Sequence, residues 1–147
     1  RAEEELIDAL RNFNMRFYAY NPLAGGLLTN KYTSFEEEPK KGRFTFRPNY
    51  QNRYWKKSFF DGAELIKSVC EKEGISIIEA SYRWMAYHSA LQKNDAIIVG
   101  ASRVAQLKEN ISALEKGPLS DEMLEAFDNA WKITRADAPA YFKFYGA

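Results

Sequence analysis

Only two segments of this 147-residue chain read as β-strand, and that scarcity constrains its fold more than any other feature. Arg16-Phe17-Tyr18-Ala19-Tyr20 is rich in aromatics and stops at Asn21-Pro22. Ala96-Ile97-Ile98-Val99 is short, β-branched and apolar without alternation, which suits a parallel strand buried on both faces. The element order is helix, strand, long loop, two helices, strand, two helices and an irregular aromatic tail. Two strands alone do not make a stable sheet, and a parallel pair needs neighbours. The fold class is therefore α/β, with the chain forming part of a larger barrel or sheet, or pairing with a second copy to complete one.

The helices follow from apolar spacing and end signals. Leu6, Ile7, Leu10 and Phe13 recur at helical intervals behind a run of glutamates, which suit a helix N-terminus. Phe59, Phe60, Ala63, Ile66, Val69 and Cys70 mark a second helix ending near Gly74. Ser76 with Glu79 fits a capping box that opens a third, burying Ile78, Tyr82 and Met85. Val104, Leu107, Ile111 and Leu114 give a fourth helix its apolar face, and Gly117-Pro118 breaks it. Ser120 opens the last, with Met123, Phe127, Ala130 and Trp131 on one side. From Asn21 to about Ser58 no period is sustained, and a loop of that length is usually functional or mobile.

Composition removes several chemistries. One cysteine, Cys70, rules out an internal disulfide framework, and with the single His88 it leaves no Cys/His zinc site. Cys70 falls on the apolar face of its helix, as core. His88 stands beside Trp84 on a helix and reads as a structural histidine. The acids are scattered, and no carboxylate pair or activated nucleophile can be assembled. The absence of a long apolar run or a basic-then-apolar leader gives a cytoplasmic, non-membrane expectation. The chain opens on Arg1 rather than Met, as a processed product or a piece of something longer would.

Three places could bind a ligand. At the end of the second strand, Gly100-Ala101-Ser102 leads into a helix with Ser102 at the N-cap, Arg103 adding charge, and Gln106, Glu109 and Asn110 within two turns. Free N–H groups and the helix dipole make such a turn an anion site, although most turns of this kind bind nothing. At the end of the first strand, Tyr20-Asn21-Pro22-Leu23-Ala24-Gly25-Gly26 offers a flat ring beside glycines that permit close approach. Both lie at strand C-terminal ends, where parallel α/β folds bind ligands. The third place, Pro39 to Lys57, holds seven of the 21 basic residues, none of the 20 acids, and five aromatics. A small anion, a loop folded over a core, and a single-stranded nucleic acid rank in that order, because the rest of the chain is net acidic.

The run from Arg16 to Tyr32, RFYAYNPLAGGLLTNKY, resembles the aldo-keto reductases of the aflatoxin-aldehyde reductase group. So do Gly42-Arg43-Phe44, the stretch Tyr50 to Trp55, IVGASRVAQLKEN from Ile98 to Asn110, and Pro139 to Phe142. The resemblance runs the length of the chain in matching order. It implies that residues 1–147 are the C-terminal part of a single (β/α)8 TIM-barrel domain, with about two parallel strands plus several helices. It further implies an enzyme that reduces aldehydes and ketones with NADPH.

By that likeness Tyr20 stacks on the nicotinamide, Asn21, Leu23 and Gly25 line the cofactor path, and Arg43 reaches its phosphates. Ser102, Gln106, Glu109 and Asn110 hold the adenosine end, with Arg103 at the 2′-phosphate. Tyr50 and Arg53 contact substrate, Arg53 as anchor for a carboxylated aldehyde. The family's catalytic Asp, Tyr, Lys and His fall upstream of this chain, so no residue here is assigned as catalytic. The isolated segment is expected to be inactive, and its partner is a small carbonyl substrate rather than nucleic acid or membrane. Lys143 stands near the place where the group often carries a substrate-contacting Arg. A non-catalytic NADP(H)-binding or regulatory module is the alternative, and a homodimer is the expected route to self-association.

Overall fold

The computed structural model describes residues 1–4, 6–40 and 42–140. Lys41 of the basic stretch, and Tyr141, Phe142 and Lys143 of the tail, lie outside them. In chain order the elements are α1 (Leu6–Asn12), β1 (Tyr18–Ala19), α2 (Arg43–Phe46), α3 (Pro48–Tyr54), α4 (Lys57–Glu73), α5 (Ile77–Tyr87), β2 (Ala96–Ile97), α6 (Val104–Leu114) and α7 (Asp121–Thr134). A short 3-10 segment precedes α1, and another spans Ala24–Thr29. The stretch expected as one long loop is thus broken by this 3-10 turn, α2 and α3. Its aromatic clustering and Pro48 in the first turn of α3 supply an order that has no simple period.

The main core lies between α4 and α7, with α5 closing it. Ile66, Val69 and Cys70 of α4 meet Met123, Ala126 and Ala130 of α7, with Ile77, Ala80 and Leu119 alongside. Gly62 lets the two helices approach: a Cβ there would stand 2.9 Å from Thr134 Cγ2. Trp84 stacks on Phe127 at 5.8 Å between centroids. Gly74, at φ +68°, ends α4 in the left-handed conformation that glycine adopts cheaply. Ser120 caps α7, its hydroxyl accepting from Met123 N–H.

Two expectations for the helices are corrected. Ser76 accepts from Glu79 N–H at 3.1 Å, but the Glu79 carboxylate does not complete the box; its oxygens go to Arg83 and Lys116. Two cations offer a carboxylate more than one backbone N–H does. On α6 the buried residues are Asn110 and Ala113, while Val104, Leu107 and Ile111 are exposed, Val104 by 72%. The apolar stripe faces away from α5 because α6 is tied to its neighbour by its small face and by Tyr87 Oη donating to Leu114 O. On α5 Tyr82 is buried as expected, together with Ile77, Ala80 and Ser81, whereas Ile78 and Met85 are only half-buried.

β1 and β2 pair in parallel, Tyr18 opposite Ala96 and Ala19 opposite Ile97. Both strands are two residues long, shorter than the apolar runs that predict them. Ala19 is buried, whereas Tyr18, Tyr20 and Ile98 are exposed. The expected burial on both faces is therefore not met within this chain: one face of the pair has no cover among the described residues. A buried carboxylate holds the strands in register. Asp95, just before β2, accepts from Phe17 N–H and Gln92 N–H at 2.7 Å each and from both terminal nitrogens of Arg11 on α1.

Candidate functional site

Parallel pairing puts the C-terminal ends of β1 and β2 side by side, and with them the two turns singled out in the sequence. Tyr20 follows β1 directly, and Ile98 N–H donates to Ala19 O at 2.9 Å, so the chain from Val99 to Arg103 leaves the same edge.

The first turn is tightly wound. Asn21 (φ +67°), Ala24 (+47°), Gly25 (+73°) and Gly26 (+106°) all occupy the left-handed region. Asparagine and glycine tolerate this, whereas Ala24 pays of order 1 kcal/mol for it. Such strain is concentrated at functional sites. Asn21 Oδ1 accepts from Gly25 N–H at 3.1 Å, closing the turn, while Asn21 Nδ2 donates to Tyr54 Oη at 2.7 Å. Leu23 is half-buried, its carbonyl accepting from Gly26 N–H.

Helices α2 and α3 lie over this turn. Tyr20 Oη and Tyr50 Oη are hydrogen-bonded at 2.8 Å, and Arg43 donates to Tyr50 Oη at 3.4 Å with its guanidinium 4.9 Å from the Tyr50 ring centre. The bond to Tyr50 raises the Tyr20 phenol above its ordinary value, so Tyr20 is not a poised acid at neutral pH. Gly25 is required by contact as well as by φ: a Cβ would fall 2.8 Å from Tyr50 Cδ1. Tyr20 remains 63% exposed, its ring a flat surface for a ligand.

The basic, aromatic stretch divides by partner. Phe44 and Trp55 pack with Tyr32 and Phe60 at centroid separations of 4.9–5.3 Å, and Trp55 Nε1 donates to Phe35 O. That half is core. Tyr50, Tyr54 and Arg43 face the turn. Arg53 stands apart from Arg43, lining an open cleft with Asn49, Asn52 and Pro139.

At the second turn Gly100, Ala101 and Ser102 are exposed. The N-cap is Arg103, not Ser102, and no side chain caps the helix there. The Ser102 hydroxyl donates instead to Gln106 Oε1 at 2.9 Å, since the chain turns into helix one residue later than the spacing predicts. The first turn of α6 thus presents open N–H groups with an arginine beside them, which suits an anion. Glu109 is exposed, whereas Asn110 is 5% exposed and donates to Gly100 O, supporting the turn from beneath.

His88 is structural, as its helical setting suggests: its Nε2 accepts from Leu119 N–H at 2.8 Å. The Cys70 thiol is buried, and that burial pushes it up to about 11. Sequence reasoning missed Asp95 and the part played by Tyr54. Neither long-range pairing leaves a local signal, since Arg11 lies 84 residues from Asp95 and Asn21 lies 33 from Tyr54.

Comparison with known proteins places this geometry. Residues 1–132 match the model of the aldo/keto reductase family. The chain is 42% identical to human aldo-keto reductase family 7 member A3, over 97% of this chain and 46% of that protein. It is also 42% identical to rat aflatoxin B1 aldehyde reductase member 2, over 97% of this chain and 42% of that one. It therefore spans about half the length of the curated relatives it matches. Among solved structures, a glycerol dehydrogenase of Gluconobacter oxydans superposes on 99% of this chain and 42% of its own, with a TM-score of 0.65 at 21% identity. That likeness shows the fold: two parallel strands and their helices as part of a (β/α)8 barrel. By family match and sequence identity together, the chain belongs to the aldo/keto reductase family.

Proposed function

We propose that this chain is the cofactor-holding portion of an NADPH-dependent reductase that converts aldehydes and ketones to alcohols. The observation that carries the reading is the parallel register, Ala19 opposite Ile97, which sets an exposed tyrosine on a glycine turn beside an uncapped helix N-terminus. A dinucleotide needs both: a flat face for its nicotinamide and an anion site for its phosphates.

The residues fit that cofactor. Tyr20 offers the stacking face, with Asn21, Leu23 and Gly25 shaping the path beside it. Arg43, held over Tyr50 at the edge of the turn, is placed for the phosphates. Arg103 and the open N–H groups of α6 suit a 2′-phosphate, with Ser102, Gln106 and Glu109 at the adenosine and Asn110 bracing the turn. Tyr50 and Arg53 face the substrate side, Arg53 as a cation for a carboxylated aldehyde. The cofactor supplies the hydride; this chain binds and orients it. Proton donation falls to residues outside the chain, so the 147-residue protein alone binds without turning over. A cytoplasmic setting belongs to the same proposal.

Titration of the purified protein with NADPH and NADH, read by cofactor fluorescence, tests this. Saturable NADPH binding, weaker NADH binding, and loss of that preference in Arg103→Ala are expected, with no oxidation of NADPH when an aldehyde is added. Failure to bind either cofactor would overturn the reading. Turnover by the chain alone would overturn the assignment of proton donation elsewhere.

A further inference from the structure

Tyr54 is the last residue of α3, and none of the roles above belongs to it. Its hydroxyl accepts from Asn21 Nδ2 at 2.7 Å, the carboxamide whose oxygen holds Gly25 N–H. Both ends of the Asn21 side chain are therefore engaged, one inside the turn and one on α3. Asn21 also sits at φ +67°, a conformation that needs support from its surroundings. The Tyr54 ring presses on the same turn: a Cβ on Gly25 would meet Tyr54 Cδ2 at 3.3 Å. Tyr50 stands one helical turn before Tyr54, its ring centre 6.0 Å away, and bonds Tyr20. Two phenols on one face of α3 thus grip two successive residues after β1.

We propose that Tyr54 is a positioning residue for the nicotinamide end of the cofactor, acting through Asn21 to fix the turn that carries Tyr20. This rests on the cofactor reading given above. The Tyr50 bond is made to the exposed Tyr20 ring, which a bound nicotinamide would cover. The Tyr54 bond lies behind the turn and is half-buried, so it persists when the site is filled and sets the direction in which Tyr20 leaves β1. Without the Tyr54 hydroxyl, the Asn21 amide loses its partner and the left-handed residue loses one of the contacts that hold it.

The position of the contact makes the effect directional. Tyr54 touches the turn after β1 and makes no described contact with the turn before α6. Removing its hydroxyl weakens the nicotinamide end and spares the adenosine end. The probes are NADPH, which spans both ends, and 2′,5′-ADP, which carries the adenosine phosphates without a nicotinamide. Tyr54→Phe removes one oxygen and keeps the ring. In this variant NADPH binding is expected to fall about fivefold, the loss of one hydrogen bond, with 2′,5′-ADP binding changed less than twofold. Asn21→Ala removes the donor to Tyr54 together with the acceptor for Gly25 N–H. It should lower the NADPH to 2′,5′-ADP affinity ratio at least as far, and adding Tyr54→Phe to it should change the ratio no further. An unchanged NADPH to 2′,5′-ADP affinity ratio in Tyr54→Phe overturns the proposal, whether both affinities hold or both fall together. If the unaltered protein binds 2′,5′-ADP and NADPH equally well, the nicotinamide end is not gripped and the proposal falls alone. If it binds neither, the cofactor reading itself fails.

Discussion

Replacing Asp95 with alanine tests the reasoning that joins fold to site. The carboxylate is 1% exposed and accepts from four N–H groups on three separate segments: α1 through Arg11, the residue before β1, and the turn before β2. Truncation leaves two backbone N–H groups without their acceptor and strips Arg11 of its countercharge. Breaking a buried pair costs about 3–5 kcal/mol. Arg11 is 24% exposed and keeps contacts to Met15 O and Ala90 O, so the low end applies, ~3 kcal/mol. Urea unfolding followed by tryptophan fluorescence at pH 7 would read it as a lower midpoint at unchanged slope.

The same residue gives a pH signature. The Arg11 hydrogen bond, with those from Phe17 and Gln92, holds the Asp95 carboxyl down to about 2, against an ordinary value near 4. Because the folded value lies below the unfolded one, the stabilisation is complete above about pH 4. It is lost as pH falls towards 2. Screening of the partly exposed Arg11 limits this share to ~1–2 kcal/mol. Asp95→Ala should lack that portion of the acid slope. A loss under 1 kcal/mol at pH 7, or an acid slope identical to that of the unaltered protein, would refute the reading of Asp95 as the clamp between the strands.

Two further substitutions probe the core. Gly62→Ala gains helix propensity of about 1 kcal/mol but drives a methyl into Thr134 Cγ2, whose rotamer is fixed by Oγ1 donating to Ala130 O. A net loss of ~1 kcal/mol is expected, recovered when Thr134→Ser removes the offending methyl; failure of that rescue in urea unfolding would refute the contact. The Tyr82 hydroxyl is wholly buried with no hydrogen-bond partner among the described residues. Tyr82→Phe should therefore raise stability by ~1 kcal/mol, and a calorimetric midpoint that falls would show a partner for the hydroxyl.

What the sequence determined by itself is what local chemistry dictates. Apolar spacing placed α4, α5 and α7; Gly74 and Ser120 marked an end and a beginning; and a β-branched run announced β2. Those signals act within a few residues, through backbone preference and periodicity, and they survive in any tertiary setting. The motifs around Tyr20 and Gly100 were legible for the same reason, as was the family they resemble.

Tertiary structure decided whatever depends on a distant partner. The five aromatics between Pro39 and Lys57 look alike in sequence, yet Phe44 and Trp55 are packed into core, Tyr50 and Tyr54 hold the turn, and Phe46 is exposed. Only contact with Tyr32, Tyr20 and Asn21 separates them. The face of α6 reversed because pattern shows that a helix has an apolar stripe, not which surface it meets; Val104, Leu107 and Ile111 stay exposed. Asp95 looks like one more polar turn residue until Arg11, 84 positions earlier, is brought to it. Long-range pairing has no local trace because its energy arises only when the chain has already brought the partners together.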